Sequence, residues 1–403
     1  MARSRPQQGD SRLSQQQAAA IGAHVSLIPR VSVVIPVFNL RNYLGLAIES
    51  VLDQTLAPEH IEVIVVDDGS TDGSGEVAER YTPRVRYARQ DNRGLSAARN
   101  AGIRLSRGSF IAFLDADDRM FPEKLEAQLA AFASHPEVGL VYTGWYYVDD
   151  AGARLPQHGW SRQAGDVLRD LVLGNLLHTH AALVRRDLVE QAGGFDETLT
   201  SVEDWDLWLR ISRRGCLWHC VDRPLIEYRI RQSSMHQDAA RMLENRLRVL
   251  DKLYSDPDLP AEVTRQRSTA YQNAYLTAAC DFFRAGDRRS ATLWFYAAVA
   301  LRPAFVTEPS SFRLFCRWVL PPGYQREEAV VAHWRLLAGI LHTAVTDLYA
   351  RPDLEEAIRR LRPRAALAYW RTVLRLVRKR TIALLRRRDT RAFGLPEGAV
   401  SPP

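Results

Sequence analysis

The chain has 403 residues, of which 46% are hydrophobic and 25% charged, and its formal net charge is +7. This length can form two or three domains with their own cores. Acidic residues are frequent in the first half, whereas arginine dominates the last fifty residues. The positive charge therefore belongs to the C-terminal end, and no nucleic-acid partner is predicted.

Four cysteines are too few for a disulfide framework in a chain of this length, which is typical of a reducing compartment. Two of them, Cys216 and Cys220, flank His219 in the sequence CLWHC. We interpret this stretch as a half-buried strand, with a zinc site as the alternative. Neither a signal peptide nor a run of about 18 apolar residues is recognised. The sequence therefore predicts a cytoplasmic protein.

Strands and helices alternate after residues 1–29, which lack periodicity and are predicted to be disordered. The predicted strands, in chain order, are VSVVIPVF, IEVIVVDD, RVRYARQ and FIAFLDADD. The helices between them are NYLGLAIESVLDQT, GSTDGSGEVAERY and GLSAARNAGIRLS. This alternation predicts an α/β fold with a Rossmann-like, mostly parallel sheet and flanking helices.

The rest of the chain changes in character twice. Residues 120–235 mix strands and helices, including a helix in EDWDLWLRISRRG and two short strands around Pro224. From residue 236 to 403 the pattern is all-helical, so a separate C-terminal region is predicted after a sheet domain at 30–235. It contains two helices within 274–305 that resemble one tetratricopeptide-like hairpin, and a basic amphipathic helix at 365–388.

Five aspartates lie where two predicted strands end. Asp67 and Asp68 close one strand, and Asp115, Asp117 and Asp118 follow another. Ligands of parallel sheets bind beyond the carboxyl ends of the strands, so both clusters share that edge. Neighbouring carboxylates repel each other unless a cation lies between them, and residues two apart on an extended segment point the same way. The pattern favours a divalent cation site, with a solvated acidic turn as the alternative.

Four motifs occur in a fixed order, namely VSVVIPVFN, VVDDGSTD, NRGLSAARNAG and FIAFLDADD. In these motifs the sequence resembles the family 2 glycosyltransferases, which have the GT-A fold. The resemblance covers roughly residues 31–235. It implies an inverting transfer of a sugar from a nucleotide-diphosphate sugar to an acceptor hydroxyl, in the synthesis of a cell-surface polysaccharide or glycolipid.

The resemblance also implies a nucleotide site at the ends of the first strands. Pro36, Phe38 and Asn39 would line the base pocket, and Phe38 stands where the family more often has tyrosine. Asp68 would accept hydrogen bonds from the base. Arg99 would lie near the nucleotide, although a surface role on its helix is the alternative.

A metal site is implied at the aspartate turn, with Mg²⁺ or Mn²⁺ as the cofactor. Asp117 would bind the ion that bridges the diphosphate, and Asp115 would hold the ribose or assist the metal. Asp118 would support the site or cap the following helix. Bound there, a divalent ion stabilises the charge that develops on the departing diphosphate.

The catalytic base implied by the family is the aspartate of an ED pair that opens a helix after a glycine turn. Here GGFDETLTSVEDWDLWLR provides that context, and Asp204 is the predicted base. Glu203 and Asp206 are neighbours that can be confused with it. Residues two apart on a helix point about 200° apart, so only one of Asp204 and Asp206 can face the cleft.

An acceptor side is implied around the same helix, and it includes Glu203. Gly193 and Gly194 would let the backbone approach the acceptor, which is predicted to be a glycan or a lipid-linked glycan. Trp205 would form a wall against the sugar, or else belong to the core. The helix at 365–388 would contact a membrane peripherally or pack within its own domain.

Two other functions are alternatives to glycosyl transfer. One is a binding or scaffold protein that acts through its helical tail and retains a relict GT-A domain. The other is a nucleotidyltransferase, which lacks support because no glycine-rich phosphate loop follows the first strand. Asp68, Asp115, Asp117 and Asp204 are all in place, which favours an active transferase.

Overall fold

The computed structural model describes residues 29–159, 161–231 and 238–301. Its strands are β1 (Val31–Val37), β2 (Ile61–Asp67), β3 (Val85–Arg89), β4 (Phe110–Phe113), β5 (Arg119–Met120), β6 (Val138–Val148), β7 (Arg154–Gly159), β8 (Ala182–Arg185) and β9 (Leu217–Arg229). They form one sheet in the order β3-β2-β1-β4-β8-β6-β9-β5, with β7 paired to β6. The predicted disordered segment, apart from its last residue, and the predicted helix at 365–388 lie outside the described residues.

The helices flank this sheet and then continue beyond it. They are α1 (Arg41–Leu52), α2 (Ser74–Glu79), α3 (Leu95–Leu105), α4 (Lys124–Ser134), α5 (Leu168–Leu171), α6 (Arg186–Gln191), α7 (Glu203–Arg213), α8 (Ala239–Tyr254), α9 (Ala261–Thr264), α10 (Arg267–Arg284) and α11 (Arg288–Leu301). None of the helices in the described ranges combines the length and apolarity needed to cross a membrane.

The first half of the sheet is parallel, as the sequence predicted. β1 pairs in parallel with β2 and β4, and β2 with β3. All seven residues of β1 are buried because helices cover both faces of the sheet. Helix α3 packs so closely on β1 that a Cβ on Gly102 would lie 2.2 Å from Val34 Cγ1. This packing brings α3 to the edge where β1, β2 and β4 end.

Beyond β4 the sheet is mixed. β8 runs antiparallel to β4, with Ala112 opposite Leu183, and β5 and β7 are also antiparallel to their neighbours. β9 is one strand of 13 residues, so the prediction of two short strands around Pro224 is wrong. Its pairing with β6 shifts register between Thr143 and Gly144, where Pro224 stands opposite Gly144. Proline cannot donate a ladder hydrogen bond, so the strand is irregular there but continues.

The CLWHC stretch leads into β9, as its interpretation as a strand predicted. Cys216 immediately precedes the strand, and His219 and Cys220 lie on it. Both cysteines are free thiols.

The helices after the sheet share its hydrophobic core. Val249 and Leu250 of α8 and Ala274 of α10 are buried in the same cluster as Trp205 and Leu171. The predicted hairpin is present, with α10 and α11 joined at residues 285–287. The α/β fold class followed by helices is confirmed, while the boundary at 235/236 stays a prediction.

Candidate active site

The aspartate turn follows β4 directly, and each of its three carboxylates has a basic or N–H partner. Arg99 Nη2 lies 2.6 Å from Asp115 Oδ1, and Arg231 Nε lies 2.6 Å from Asp117 Oδ2. The backbone N–H of Arg229 donates to Asp118 Oδ1 at 2.8 Å. Burial raises the pKa values of Asp117 and Asp118, and the neighbouring carboxylates raise them further. Three cationic residues thus hold together a turn that would otherwise repel itself.

Arg229 at the end of β9 fixes the backbone of this turn. Its side chain is buried, with Nε donating to Asp117 O at 3.0 Å and Nη1 to Asp149 O and Asp150 O at 2.9 Å each. A planar guanidinium can bind several carbonyls at once, so one side chain connects two loops. Tyr43 stacks beneath it, with its ring centroid 5.2 Å from Arg229 Cζ. The position of the turn therefore depends on the last residue of β9.

Behind the turn, Asp118 faces His180, which lies two residues before the first residue of β8. His180 Nδ1 lies 2.8 Å from Asp118 Oδ2, yet neither atom makes a well-directed hydrogen bond with any described residue. Burial lowers the pKa of His180 to about 4, so the ring is neutral at pH 7. Asp115, Asp118 and His180 each place one potential metal-ligand atom within 4.8 Å of the other two. Two carboxylates and a neutral imidazole fit a divalent cation.

Arg99 of α3 connects the aspartate turn to helix α7. The residue is 1% exposed, and its guanidinium pairs with Asp115 through Nη2 and with Glu203 through Nη1. These two carboxylates raise the pKa of Arg99 against the opposing effect of burial. Its Cζ lies 5.3 Å from the centroid of the Phe195 ring. The burial of Arg99 thus excludes the alternative of a surface role on its helix.

Helix α7 presents Asp204 in its first turn. Asn175 Nδ2 donates to Asp204 Oδ2 at 3.0 Å, and Oδ1 accepts from the N–H of Trp205 at 2.7 Å. Burial, followed by the charge of Glu203, raises the pKa of Asp204 to about 7. The preceding residue, Val202, has a φ of 53°, a conformation that costs a β-branched residue roughly 1–3 kcal/mol. Such strain is often found at active sites.

The neighbours of Asp204 are arranged differently. Asp206 binds Arg210 at 2.7 Å and Lys252 at 2.9 Å, so its carboxylate serves the packing of α7 against α6 and α8. Trp205 is buried, and its Nε1 donates to Leu171 O at 2.7 Å. Asp206 thus has two cationic partners, whereas Asp204 has none at salt-bridge distance among the described residues.

Gly193 and Gly194 terminate α6 with φ angles of 81° and 72°. The N–H groups of Gly193 and Gly194 bond to Glu190 O and Val189 O, and Arg210 Nη2 donates to Gly194 O at 2.7 Å. A Cβ on Gly194 would lie 2.5 Å from Asn100 Oδ1. The two glycines therefore have a local structural role, and neither lines the cavity described below.

The predicted nucleotide residues lie at the ends of β1 and β2. Phe38 is 46% exposed, whereas Pro36 is buried within β1. Asn39 has a φ of 53°, and its Oδ1 accepts from the N–H of Thr71 at 2.8 Å. Asp68 accepts from Gln90 Nε2 at 2.7 Å and from the N–H groups of Arg93 and Gly94 at 2.9 and 2.7 Å. Asn39 and Asp68 therefore shape the loops around Phe38.

One cavity of about 260 Å³ brings the two halves of the site together. Its described lining includes Asp115 and His180 on one side and Glu203, Asp204 and Trp205 on another. Arg99 lies between the two groups. Asp117, Asp68 and Phe38 do not line it.

We expect Arg99→Met to lower the free energy of unfolding by about 3–5 kcal/mol, because it leaves the buried Glu203 and the half-buried Asp115 without their shared cation. Urea denaturation measures this change. Arg93→Met is the matched control: Arg93 Nη2 pairs with Glu197 at 3.0 Å, but the side chain is 59% exposed. Its loss should cost less than about 1 kcal/mol. Equal effects of the two substitutions would contradict a structural role of the Arg99 network.

Sequence reasoning missed His180 and Arg229. His180 lies in the sequence HTHAALV, which gave no metal-ligand spacing with the aspartates. Its position follows from the antiparallel pairing of β8 with β4, which puts the start of β8 beside the end of β4. An alternation of predicted elements does not reveal that pairing. Arg229 was hidden for the same reason, since β9 is placed by the second half of the sheet.

Comparison with known proteins supports the resemblance. Residues 32–193 match the model of glycosyl transferase family 2. An uncharacterized glycosyltransferase of Rickettsia prowazekii is 33% identical over 224 residues, which are 54% of this chain and 69% of that protein. The chondroitin synthase of Escherichia coli is 30% identical over 211 residues, covering 50% of this chain and 30% of the synthase.

Among solved structures, the chain is similar to S. aureus TarS residues 1–349 in complex with UDP, with 19% sequence identity and a TM-score of 0.49. The match covers 68% of this chain and 87% of the TarS chain. The class of protein is defined by the sheet and by the sequence relatives: a GT-A-fold glycosyltransferase. The chain belongs to glycosyl transferase family 2.

Proposed function

We propose that this chain transfers a glycosyl group from a nucleoside-diphosphate sugar to an acceptor hydroxyl, with inversion at the anomeric carbon. The observation that supports this proposal is the single cavity lined by both Asp115 and Asp204. Inversion by one displacement needs a base on the side of the sugar opposite the leaving diphosphate. A carboxyl with a pKa of about 7 can act as that base near neutral pH.

In the proposed reaction, the acceptor hydroxyl oxygen forms a bond to the anomeric carbon as the bond to the diphosphate oxygen breaks. The hydroxyl proton moves to the carboxylate of Asp204. Asn175 holds this carboxylate through its hydrogen bond to Oδ2. Arg99 keeps the helix of Asp204 and the aspartate turn at a fixed separation because it pairs with Glu203 and Asp115.

The residues that would hold Mg²⁺ or Mn²⁺ are Asp115, Asp118 and His180. When bound, the ion would stabilise the negative charge that develops on the departing diphosphate. Asp118 Oδ2 and both ring nitrogens of His180 make no well-directed hydrogen bond with any described residue, which supports this set. The role predicted for Asp117 stays a prediction, and it requires Arg231 to release the carboxylate at donor binding.

The nucleotide would lie at the ends of β1 and β2. Phe38 is one of only three large hydrophobic side chains that are exposed in the described part of the chain, which supports stacking on the base. The proposed roles of Pro36, Asn39 and Asp68 are to position this platform, and Asp68 keeps acceptor capacity for a base N–H.

The acceptor is proposed to be a glycan or a lipid-linked glycan, in the synthesis of a cell-surface polysaccharide. The relative named chondroitin synthase supports a polysaccharide product. Gly193, Gly194 and Trp205 would act on this side by shaping the loop and the wall near Asp204. Peripheral membrane contact through residues 365–388 stays a proposal: truncation after Leu361 should reduce co-sedimentation with anionic liposomes, and equal pelleting would contradict it.

The test of the proposed function is a panel of UDP-, GDP- and dTDP-sugars incubated with the full-length chain and Mn²⁺ or Mg²⁺. We expect nucleotide release from at least one donor, suppressed by a chelator and by Asp204→Asn. Nuclear magnetic resonance of the product should show an inverted anomeric configuration. Binding of a donor without any turnover would favour the scaffold alternative instead.

A further inference from the structure

The helices that follow the sheet build one wall of the active-site cavity. Met242 and Arg246 of α8 line it together with Ala270, Ala274 and Thr277 of α10. The small side chains of the two alanines leave space in the cavity, and Met242 and Thr277 offer an apolar and a hydroxyl contact. This wall lies outside the segment matched by the family model, which ends at residue 193.

The wall carries a cation, Arg246. Its Nη1 lies 2.8 Å from Asp281 Oδ2, and 15% of its side chain is exposed. Arg284 binds the other oxygen of Asp281 at 3.1 Å, so two guanidinium groups share one carboxylate and the cluster has a net charge of +1. A guanidinium has five N–H donors, so one bond to a shared carboxylate leaves capacity for a second anion.

Among the described residues that line the cavity, the other charged side chains are three carboxylates and Arg99, which is already paired. Asp115, Glu203 and Asp204 line it, and Arg99 is occupied by the first two. An anionic group that entered this cavity would be repelled by Asp204 and attracted by Arg246. A molecule that carries such a group would therefore bind in one orientation, with its anionic group against the helical wall and its remaining atoms toward Asp204.

We infer that Arg246 recognises an anionic group of the acceptor, a carboxylate or a phosphate, so that the acceptor of this transferase is an acidic glycan. This inference rests on the proposed glycosyl transfer. Arg246 sets acceptor specificity, and it orients the attacking hydroxyl toward Asp204. A purely structural alternative is that the Arg246–Asp281 pair only connects α8 to α10.

Three matched probes test the inference with the full-length chain: methyl β-D-glucopyranoside, its C6 carboxylic acid and its 6-phosphate. Isothermal titration calorimetry measures their affinities. We expect at least one anionic probe to bind about tenfold or more tightly than the neutral one, the scale of a charge-assisted hydrogen bond in place of a neutral one. The acid and the phosphate arms show which anion is preferred.

Two substitutions separate recognition from structure because both break the same ion pair. Arg246→Gln should reduce the anionic-to-neutral affinity ratio to about one. Asp281→Asn should keep or increase the ratio, since Arg246 is then released toward the cavity. Arg246→Lys should retain part of it. Thermal unfolding of all three variants checks that they fold.

Equal affinities of the wild-type chain for the three probes, or no measurable binding of either anionic probe, would overturn the inference. So would a parallel loss of the ratio in Arg246→Gln and Asp281→Asn, because that result indicates a structural pair. Nucleotide release in the donor panel is scored separately. If nucleotide is released but the chain does not prefer the anionic probes, this inference alone is overturned. If the chain prefers the anionic probes but releases nucleotide from no donor, the result contradicts the proposed glycosyl transfer.

Discussion

We expect Asp204→Asn to lower the rate of glycosyl transfer by at least about a hundredfold at about pH 8, the scale of lost general-base catalysis. Asparagine can still accept the N–H of Trp205 or the amide of Asn175, so the first turn of α7 should persist. It cannot accept the proton of the acceptor hydroxyl. Because Asp204 is proposed to act on the acceptor hydroxyl and not on the nucleotide, the affinity for the donor should change little. Steady-state kinetics with the donor found in the panel measures both quantities.

The pH profile gives a second, independent expectation for the same residue. The base must be deprotonated to act, and burial raises the pKa of Asp204 to about 7. Transfer by the wild-type chain should therefore increase as pH rises through about 7 and level off above it. The residual transfer of Asp204→Asn should lack this rise.

Asp206→Asn is the matched control, because the two aspartates are on one helical turn but point about 200° apart. Asp206 is bound by Arg210 and Lys252, so its substitution should lower stability and leave the pH profile of transfer unchanged. If Asp206→Asn abolished transfer while Asp204→Asn retained it, the assignment of the base would be wrong. A hundredfold loss in both variants would indicate that the helix as a whole had moved.

The first half of the fold could be predicted from the sequence because its strands are continuous apolar runs between helices. β1, β2 and β4 are buried on both faces, and the aspartates that follow them meet at one edge for that reason. The position of Asp204 was also predictable, but only through the family resemblance. Its local sequence, EDW, does not distinguish it from Asp206. The two carboxylates differ in their surroundings, because the packing of α7 against α6 and α8 provides cationic partners for Asp206 and none for Asp204 among the described residues.

The second half of the site was not predictable in the same way. His180 and Arg229 reach the aspartate turn through antiparallel pairing and through a strand that continues past a proline. Arg246 reaches the cavity because α8 and α10 pack into the core of the sheet domain, although an all-helical pattern suggested a separate region. These placements depend on tertiary contacts among distant segments, and neither periodicity nor spacing encodes such contacts in a form that can be read along the chain.

The other large effect is expected for Asp115→Asn, which should lower metal-dependent transfer by about two orders of magnitude or more. Asp115 belongs both to the metal group proposed from the structure and to the metal pair predicted from the sequence, so it is the ligand that both assignments require. Its loss would remove one anionic oxygen from the proposed ion site, and it removes one partner from Arg99. Electron paramagnetic resonance of free Mn²⁺ should show weaker binding by the variant before any donor is added. Asp91→Asn, on the exposed loop after β3, is the control.

Two further variants decide which residues complete the metal site. If Asp115, Asp118 and His180 hold the ion, His180→Gln should weaken Mn²⁺ binding by about 10–100-fold, and Asp117→Asn should leave it nearly unchanged without donor. Arg231 already occupies the Asp117 carboxylate, which supports this difference. Weakened Mn²⁺ binding in Asp117→Asn, with normal binding in His180→Gln, would instead support the pair Asp115 and Asp117. Undiminished Mn²⁺ binding by Asp115→Asn would contradict both sets of ligands and would leave Asp115 the ribose role that the resemblance also allows.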